Sequence, residues 1–338
     1  MVAALLVGIF AGLSRINVYE MKFHPVSQPD FVATRDAKLD PDEKVISVRI
    51  DGAARAYPIR SMAYHHIVND VVAGIPIVAT YCTLCHTGLV WRSEIDGLRL
   101  TFHMAGINNQ NFLMRDQETG PYWQQVSGAA ISGPMKGKHF TLVPADELTF
   151  ALWKAEKPDG TVLKDVSRYA SEYAPENWEA EMKKRPAVLN YRQPGLEPRD
   201  LMLGISVLGA SRAFPYDLVI KEKLVIDHVG SEQLLLVVGP DGESVRAFQD
   251  RIPGVAETPE FYRSLDEEQA NPDKASRMEA SATAPLFIDA AGGSEWNFQG
   301  CAVSGSSKGV CLEPVDMIKD YWFDWRHYHP DTTVYGHK

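Results

Sequence analysis

The sequence lacks a surplus of positive charge, and this argues against one broad class of function. Lysine and arginine number 34 against 44 aspartates and glutamates, so the formal net charge is -10 at pH 7. Nucleic-acid-binding domains carry a basic patch or stripe that meets the phosphate backbone. The chain has no such Lys/Arg stripe. We therefore expect no nucleic-acid partner.

Three motifs of nucleotide and metal enzymes are also missing. The chain contains no phosphate-binding P-loop, no dinucleotide fingerprint and no H-E-x-x-H zinc motif. Kinase and dehydrogenase activities thus have no support in the sequence. The composition, with 45% hydrophobic and 23% charged residues, is typical of a folded globular protein and excludes global disorder.

No apolar run reaches the roughly 20 residues that a membrane-spanning helix requires. The run 2–13 (VAALLVGIFAGL), followed by Ser14 and Arg15, instead has the length of a signal-peptide core, although the usual preceding basic residues are missing. We predict that residues 1–15 form an export signal or a membrane anchor, and that the protein is periplasmic, secreted or tethered to a membrane. A short buried helix is the alternative.

Two halves of the chain share ordered blocks of sequence. Residues 52–58 (GAARAYP) recur at 209–215 (GASRAFP), and further on Asp116 matches Asp289. The offset grows from 157 to 173, which places about sixteen extra residues in the second copy, around 266–278. We predict a tandem duplication. Its parts are a first repeat at 29–166, a linker at 167–199 and a second repeat at 200–338.

Strand patterns dominate both copies. Val45–Ile50 alternates between apolar and polar residues, Ile75–Tyr81 is a β-branched run, and Asp96-Gly97 is a hairpin signal. One helix per copy is expected, at 146–157 and at 316–327, because each begins with an acidic residue and ends shortly before a proline. The sequence predicts a mainly β (α+β) fold of two tandem β-rich units, each with a short peripheral helix.

Ordered motifs along the chain resemble those of a known family. They are Arg55-Ala56-Tyr57-Pro58, His65-x-Ile67-Val68-Asn69-Asp70, Thr80-Tyr81-Cys82-Thr83-Leu84-Cys85, Asp116-x-Glu118-Thr119-Gly120 with Trp123, Trp322-Phe323-x-Trp325, and His329-Pro330-Asp331-Thr332. From about Pro29 to Tyr335 the chain resembles the domain-of-unknown-function family 3179 (DUF3179). The resemblance implies exported or membrane-associated proteins, often with the Cys-x-x-Cys segment, and it brings no established activity.

The chain departs from the family pattern at three positions. His86 follows Cys85, where relatives commonly have a small or polar residue, and His66 stands where glutamate is common. The family's Leu-Thr-Phe-Gly ends here in His103, which is followed by Met104. The first and third departures supply candidate ligands for a centre at the cysteine pair.

The segment Cys82-x-x-Cys85-His86 allows four interpretations. In an exported protein the two cysteines could form a structural disulfide. The same spacing is that of covalent haem c attachment, with His86 as the proximal iron ligand and His103 or Met104 as the distal one. Cys82, Cys85 and His86, with His103 or Met104 completing the ligand set, could instead hold copper(I) or zinc. A thiol oxidoreductase is the fourth interpretation, although the following residues read as strand and offer no activating helix.

The second copy lacks this cysteine pair, since Val237–Gly242 occupies the corresponding region. This asymmetry favours a functional role for Cys82 and Cys85. The other two cysteines, Cys301 and Cys311, flank a turn sequence, and we predict a cross-strand disulfide between them.

Three polar residues precede the cysteine strand and could line the same cleft: His65, Asn69 and Asp70. Asp70 has an equivalent in Asp227, which favours a structural turn or capping role for it. For His65 a structural role and a site role are equally open.

Together these observations predict an envelope protein with a redox, metal or haem centre at Cys82, Cys85 and His86, acting in electron or metal handling with an unidentified redox or metal-delivery partner. The competing hypothesis is a non-catalytic envelope binding or assembly domain, in which Cys82 and Cys85 form a plain disulfide and no cofactor is bound.

Overall fold

The computed structural model describes residues 17–189, 191–256, 259–264 and 284–337. The predicted export signal or anchor at 1–15 and the predicted insertion around 266–278 lie outside these residues. No helix within the described ranges is long and apolar enough to cross a membrane.

The first half of the chain alternates short strands with a few single helices. Its elements are α1 (Val18–Lys22), β1 (Phe31–Ala33), β2 (Lys44–Ile50), β3 (Ala53–Pro58), α2 (Ile59–His65), β4 (Ile67–Val72), β5 (Ile75–Cys82), β6 (Thr87–Arg92), β7 (Glu94–Ile95), β8 (Leu98–Arg99), β9 (Phe102–Asn108), β10 (Asn111–Asp116), β11 (Tyr122–Gln124), β12 (Leu142–Val143), β13 (Ala145–Thr149), α3 (Phe150–Glu156) and β14 (Thr161–Leu163). Single 3₁₀ turns lie at Thr34–Asp36 and Ser167–Glu172.

The second half follows the predicted linker, which contains one short helix. Its elements are α4 (Trp178–Lys183) in the linker, β15 (Leu201–Val207), β16 (Ala210–Pro215), α5 (Tyr216–Glu222), β17 (Leu224–Val229), β18 (Glu232–Val238), β19 (Val245–Gln249), β20 (Phe261–Arg263), β21 (Pro285–Asp289), β22 (Glu295–Asn297), β23 (Pro314–Val315), β24 (Ile318–Tyr321), α6 (Trp322–Tyr328) and β25 (Thr333–Val334). Strands hold 42% of the residues and helices 16%, so the predicted mainly β class is confirmed.

Three sheets of the first half correspond in strand order to three sheets of the second. The order β14-β3-β2-β13, which β1 extends at one edge, corresponds to β25-β16-β15-β24, and in both the first pair is parallel and the others antiparallel. Likewise β4-β5-β6-β12 corresponds to β17-β18-β19-β23, and β9-β10-β11 to β20-β21-β22. A separate two-stranded hairpin, β7-β8, turns at the predicted Asp96-Gly97.

Part of the core is shared between the two halves. One apolar cluster combines Leu148 and Leu152 of β13 and α3 with Val237, Phe248 and Phe298 of the second half. In the reverse direction, β24 lies against β6, and the Tyr321 amide donates to the Cys85 carbonyl at 2.8 Å. Each half therefore closes over the other with its last strand and helix.

The predicted helices at 146–157 and 316–327 were wrong in their first turns. Residues 145–149 form β13 and pair with β2, while residues 318–321 form β24 and pair with β15. The helices begin only at Phe150 and Trp322, and the Thr149 hydroxyl, rather than Asp146, caps the first of them. Long-range sheet pairing outweighed the acidic cap signals, which are local. The structure also adds α1, α2 and α5, so among the described residues the first half has three helices and the second half has two.

Candidate functional site

The cysteine motif lies on a tight turn between two antiparallel strands. Cys82 ends β5, Thr87 begins β6, and the His86 amide donates to the Cys82 carbonyl at 2.8 Å. His86 has a φ of 67°, a left-handed conformation that is uncommon outside glycine. The segment after the motif continues as strand, as the sequence indicated.

Both sulfurs are buried free thiols that face the same backbone oxygen. Cys82 is 2% exposed and Cys85 is 0% exposed. The Gln110 carbonyl accepts from the Cys82 thiol at 3.9 Å and from the Cys85 thiol at 3.3 Å. Gln110 occupies the β9–β10 turn, where its φ is 68°. The structure thus has no disulfide between Cys82 and Cys85.

A buried amide network fixes the first polar neighbour of Cys85. The Asn111 amide nitrogen lies 3.4 Å from the Cys85 sulfur and donates to the Gln125 side-chain oxygen at 2.9 Å. The Asn111 oxygen accepts from Gln124 at 2.6 Å, and Gln125 donates to the Thr80 hydroxyl at 3.1 Å. These bonds set the orientation of the Asn111 amide, so that its NH₂ group points towards the sulfur.

Two carboxylates reach the same place from the end of the chain. Asp320 on β24 accepts a hydrogen bond from the Thr87 hydroxyl at 2.8 Å, across 233 residues of sequence. Asp324 on α6 accepts from Asn111 at 3.3 Å, and its carboxylate lies beside the Cys85 thiol. Both carboxylates are 0% exposed. We call Cys82, Cys85, Asp320 and Asp324 the thiol–carboxylate cluster.

Burial favours the protonated forms of Cys85, Asp320 and Asp324. Burial, and next the hydrogen bond with Cys82, raises the pKa of the Cys85 thiol well above its usual value. Burial and the neighbouring Asp324 raise the pKa of Asp320 well above its usual range. Burial also raises the pKa of Asp324 to about 7, although hydrogen bonds from Cys85 and Asn111 oppose the shift.

Several polar atoms of the cluster have no hydrogen-bond partner among the residues that the structure describes. One oxygen of Asp320, one of Asp324 and the hydroxyl of Tyr328 are buried in this state. Arg199 lies nearby, but its guanidinium donates to the Leu84 and Arg185 carbonyls. Leaving buried polar atoms unsatisfied costs about 1–3 kcal/mol each. The cluster, with Tyr328 beside it, thus places buried polar atoms next to an apolar core.

His86 points away from the sulfurs. Its ring stacks on Trp178 of the linker helix α4, with centroids 5.8 Å apart and planes at 18°. Its Nε2 atom lies 3.3 Å from a Glu179 carboxylate oxygen. Burial raises the pKa of Glu179, but the neighbouring His86 outweighs this and holds that pKa at about 2. His86 thus secures the linker helix rather than the cysteine pair.

His103 and Met104 point to opposite faces of β9, as successive strand residues do. His103 lies 3.2 Å from Glu20 of α1, on the outer face. Met104 is 3% exposed and belongs to the same apolar cluster as Cys82 and Cys85. Of the predicted histidine and methionine ligands, only Met104 shares the environment of the sulfurs.

These positions do not fit the predicted haem or zinc site. A haem attached at both cysteines needs His86 on its face and room beside the sulfurs, whereas His86 faces Glu179 and the sulfurs are packed. A cleft of about 320 Å³ between the halves is lined by residues such as Glu147 and Arg246 and by neither cysteine. Throughout the described ranges, no three His, Cys, Asp or Glu side chains are arranged to hold a metal ion.

The predicted cleft residues His65, Asn69 and Asp70 make structural contacts instead. His65 bonds through its two ring nitrogens to the His24 carbonyl at 2.6 Å and the Tyr173 hydroxyl at 3.0 Å. Asn69 bonds to the backbone of Phe102 on β9, at 3.0 and 2.8 Å.

Asp70 accepts from the Tyr57 hydroxyl at 2.8 Å and pairs with Arg55 at 3.1 Å. The second half has the same ion pair in Arg212 and Asp227. Asp70 therefore has a structural role, but as part of an ion pair within β4 rather than as the turn or capping residue that the sequence favoured.

The predicted disulfide between Cys301 and Cys311 is confirmed. The two residues form an antiparallel bridge around the turn at 304–309. Residues 305–309 spell G-x-S-x-G, the pattern of a hydrolase nucleophile turn, which requires a strand before it and a helix after it. Here the pattern lies inside the disulfide-closed turn and no helix follows, so it is not such a site.

Sequence reasoning missed Asp320, Asp324, Asn111 and Gln125. A comparison of corresponding positions in the two halves could have identified the two carboxylates. Asp320 lies opposite Met202 on β15 as Leu148 lies opposite Val45 on β2, and Asp324 and Leu152 are each the third residue of their helix. Acidic residues at positions that are apolar in the other half mark an unusual environment.

The fold and the site together define a class of protein: a β-rich chain of two interlocked halves, with a buried thiol–carboxylate cluster where the halves meet. The chain belongs to the family described as "protein of unknown function (DUF3179)", whose model matches residues 23–332. No curated protein and no solved structure matches the chain.

Proposed function

We propose that the thiol–carboxylate cluster is a thiol–disulfide redox centre, in which Cys82 and Cys85 alternate between a dithiol and a disulfide. The carrying observation is that the same fold is built with apolar residues at the corresponding positions of the other half. The polar set is therefore not needed for folding.

The comparison rests on a tandem duplication, with repeats at 29–166 and 200–338 and a linker at 167–199. The shared strand order and the matching registers of β5 and β18 support it. With the strands aligned in this way, the site residues and their counterparts are Cys82 and Gly239, Cys85 and Gly242, Thr80 and Val237, Gln125 and Phe298, Asp320 and Leu148, and Asp324 and Leu152.

The apolar counterparts pack as ordinary core. Leu148, Leu152, Val237 and Phe298 are members of one buried apolar cluster. Asp241, in the loop that corresponds to the cysteine turn, has both oxygens hydrogen-bonded. Replacing such a core with two thiols and two carboxylates lowers stability. A chemical role for the cluster accounts for that loss, whereas a structural role does not.

The proposed reaction is an exchange with an external disulfide. The Cys82 thiolate attacks one sulfur of the substrate disulfide, so that a mixed disulfide forms and the first substrate thiol leaves. Cys85 then loses its proton and attacks the Cys82 sulfur, which releases the second substrate thiol. Two electrons and two protons pass from the protein dithiol to the substrate, and a Cys82–Cys85 disulfide remains.

A second candidate, copper(I) handling, is favoured by one observation. Met104 shares the apolar cluster with both cysteines, and a soft cation prefers thiolate and thioether sulfur. Two thiolates suffice for copper(I), so this candidate needs none of the three-ligand arrangements that a zinc site requires.

We also propose that the protein works outside the cytoplasm. The Cys301–Cys311 disulfide supports this, because such bonds persist in oxidising compartments. A membrane tether stays a prediction, since residues 1–15 lie outside the described ranges.

Equilibration in glutathione buffers of graded potential, followed by acid quenching, alkylation and peptide mapping, tests the redox centre. The expected result is a reversible two-electron transition confined to the peptide with Cys82 and Cys85, and absent in Cys85→Ser. A pair that stays reduced at every potential until the protein is denatured would overturn the proposal. Tight, stoichiometric copper(I) binding that Met104→Leu weakens, with no such transition, would favour the second candidate. If neither the redox transition nor copper(I) binding is observed, that outcome would favour a binding or assembly domain.

A further inference from the structure

We propose that Asp324 is the proton acceptor for the Cys85 thiol, and that Asn111 positions the two groups. The inference rests on the proposed redox function and names the residue that makes its second step possible. Asp324 comes from the second half, whereas the thiol comes from the first.

The step needs a base because of where Cys85 lies. Only the thiolate attacks a disulfide, and a fully buried thiol with a raised pKa forms very little thiolate at neutral pH. Cys85 is 0% exposed and lies in an apolar cluster, so its thiol cannot pass the proton directly to bulk solvent. A carboxylate beside the thiol can accept this proton directly. The transfer moves one negative charge from the carboxylate to the sulfur, so no additional charge has to be buried.

The geometry selects Asp324 over Asp320. The Asn111 amide nitrogen lies 3.4 Å from the Cys85 sulfur and 3.3 Å from the Asp324 carboxylate oxygen, so the two groups share one donor and lie side by side. The burial-raised pKa of Asp324 is opposed by its interaction with the thiol. Asp320 instead accepts from the Thr87 hydroxyl. The Asn111 amide can thus stabilise whichever group carries the negative charge, before and after the transfer.

The pKa of Asp324 is suitable for accepting a proton near neutral pH. Its pKa of about 7 leaves much of it ionised near neutral pH and makes it a stronger base than an ordinary aspartate. The titratable groups that face it are Cys82 and Cys85 from the turn after β5, Asp320 from β24 and Tyr328 from its own helix, with Arg199 beyond the cysteines. Its second oxygen has no partner among the described residues, which leaves a place for the proton.

The overall balance of the second step is simple. Asp324 takes the proton of Cys85, the new thiolate attacks the Cys82 sulfur of the mixed disulfide, and the bond from Cys82 to the substrate sulfur breaks. The substrate thiolate leaves with the electron pair of that bond, and the proton on Asp324 is returned to solvent when the substrate departs.

The test uses 4,4′-dithiodipyridine, whose released thiopyridone is followed by absorbance in the full chain. Attack by Cys82 releases the first equivalent and attack by Cys85 releases the second, so the two steps appear as two phases. In the native chain the second phase should accelerate as pH rises and level off above about 7. Asp324→Asn should slow the second phase roughly 100-fold and leave the first unchanged.

Two controls separate this inference from the redox function itself. Asp217→Asn removes an exposed carboxylate on α5 and should change neither phase, and Cys85→Ser should abolish the second phase alone. Two phases with no slowing in Asp324→Asn would overturn the role of Asp324 while the redox centre stands. A single phase in the native chain would overturn the redox centre. Should Asp324→Asn fail to fold, a second phase in the native chain that does not accelerate through pH 7 would reject the inference on its own.

Discussion

The buried carboxylate of Asp324 should make the protein less stable above neutral pH than its packing alone allows. Its pKa of about 7 in the folded chain lies above the ordinary value of 3.8, because burial disfavours the ionised form. The folded chain therefore holds this proton more tightly than the unfolded chain does. The contribution of this group to the free energy of unfolding falls as pH rises from about 4 to about 7 and stays low above that.

The size of the effect follows from the two pKa values. A difference between 3.8 and about 7 corresponds to about 4 kcal/mol, at roughly 1.4 kcal/mol for each tenfold change in proton affinity. Asp324→Asn keeps the shape and the hydrogen bond from Asn111 but cannot ionise. We expect this variant to be more stable than the native chain at pH 8, by up to about 4 kcal/mol, and nearly equal to it at pH 4.

Urea unfolding at pH 4, 6 and 8, without reductant, measures this difference directly. Asp70→Asn is the matched control, because its buried carboxylate is paired with Arg55. The control should lose stability at pH 8, where Asp324→Asn gains it. Equal losses in both variants at pH 8 would refute the reasoning, since Asp324 would then be a stabilising structural carboxylate.

Three further predictions test other parts of the structure. Leu152→Asp places a carboxylate at the apolar counterpart of Asp324, where no side-chain amide is present to donate a hydrogen bond to it. In urea titrations at pH 7 this variant should lower the free energy of unfolding by at least about 3 kcal/mol. The control Leu152→Met should change the free energy of unfolding by less than about 1.5 kcal/mol. Replacing Cys301 and Cys311 together by serine should cost about 2–3 kcal/mol, because the disulfide closes a loop with a sequence separation of 10, and added reductant should then have no further effect on the thermal midpoint. His86→Ala should speed proteolysis within the linker helix at pH 7, because the contacts with Trp178 and Glu179 are lost, and should leave both thiopyridone phases in place; a lost second phase would instead tie His86 to the chemistry.

Features that depend on neighbouring residues could be predicted from the sequence. The turn between Cys301 and Cys311 is encoded by the six residues that follow Val303, and the turn itself brings the two sulfurs together. The strand predicted at Val45–Ile50 and the turn at Asp96-Gly97 also lie where expected, although Val45 to Val48 are all buried rather than alternating. In each case the interaction joins residues close in sequence, so the local pattern contains the information.

The candidate site could be predicted only in part, because its two kinds of groups come from opposite ends of the chain. The spacing of Cys82 and Cys85 identifies them as candidate site residues. Asp320, by contrast, bonds to Thr87 only once the last strand and helix have docked against the first half. No local pattern encodes that docking.

The histidine of the motif misled for a different reason. Adjacency to Cys85 suggested a shared ligand set, yet the left-handed backbone at His86 turns its side chain towards the linker helix. A sequence motif shows which residues are adjacent in the chain. The backbone conformation, here the positive φ of His86, determines which of their side chains point in the same direction.

The interlocked arrangement links the chemistry of the site to the docking of the two halves. Asp324 has an unusual pKa only because α6 is buried against the cysteine turn, and that contact is held by the bonds from Tyr321 to the Cys85 carbonyl and from Thr87 to Asp320. A substitution that loosens the docking lets water reach the carboxylate, and its pKa then returns towards 3.8. Thr87→Val, which removes one of these bonds, should therefore shift the pH at which the second phase levels off to lower values, together with a loss of stability. The base of the proposed reaction thus exists only in the docked chain, so that an incompletely folded chain exposes its thiols without the group that lets Cys85 complete the exchange.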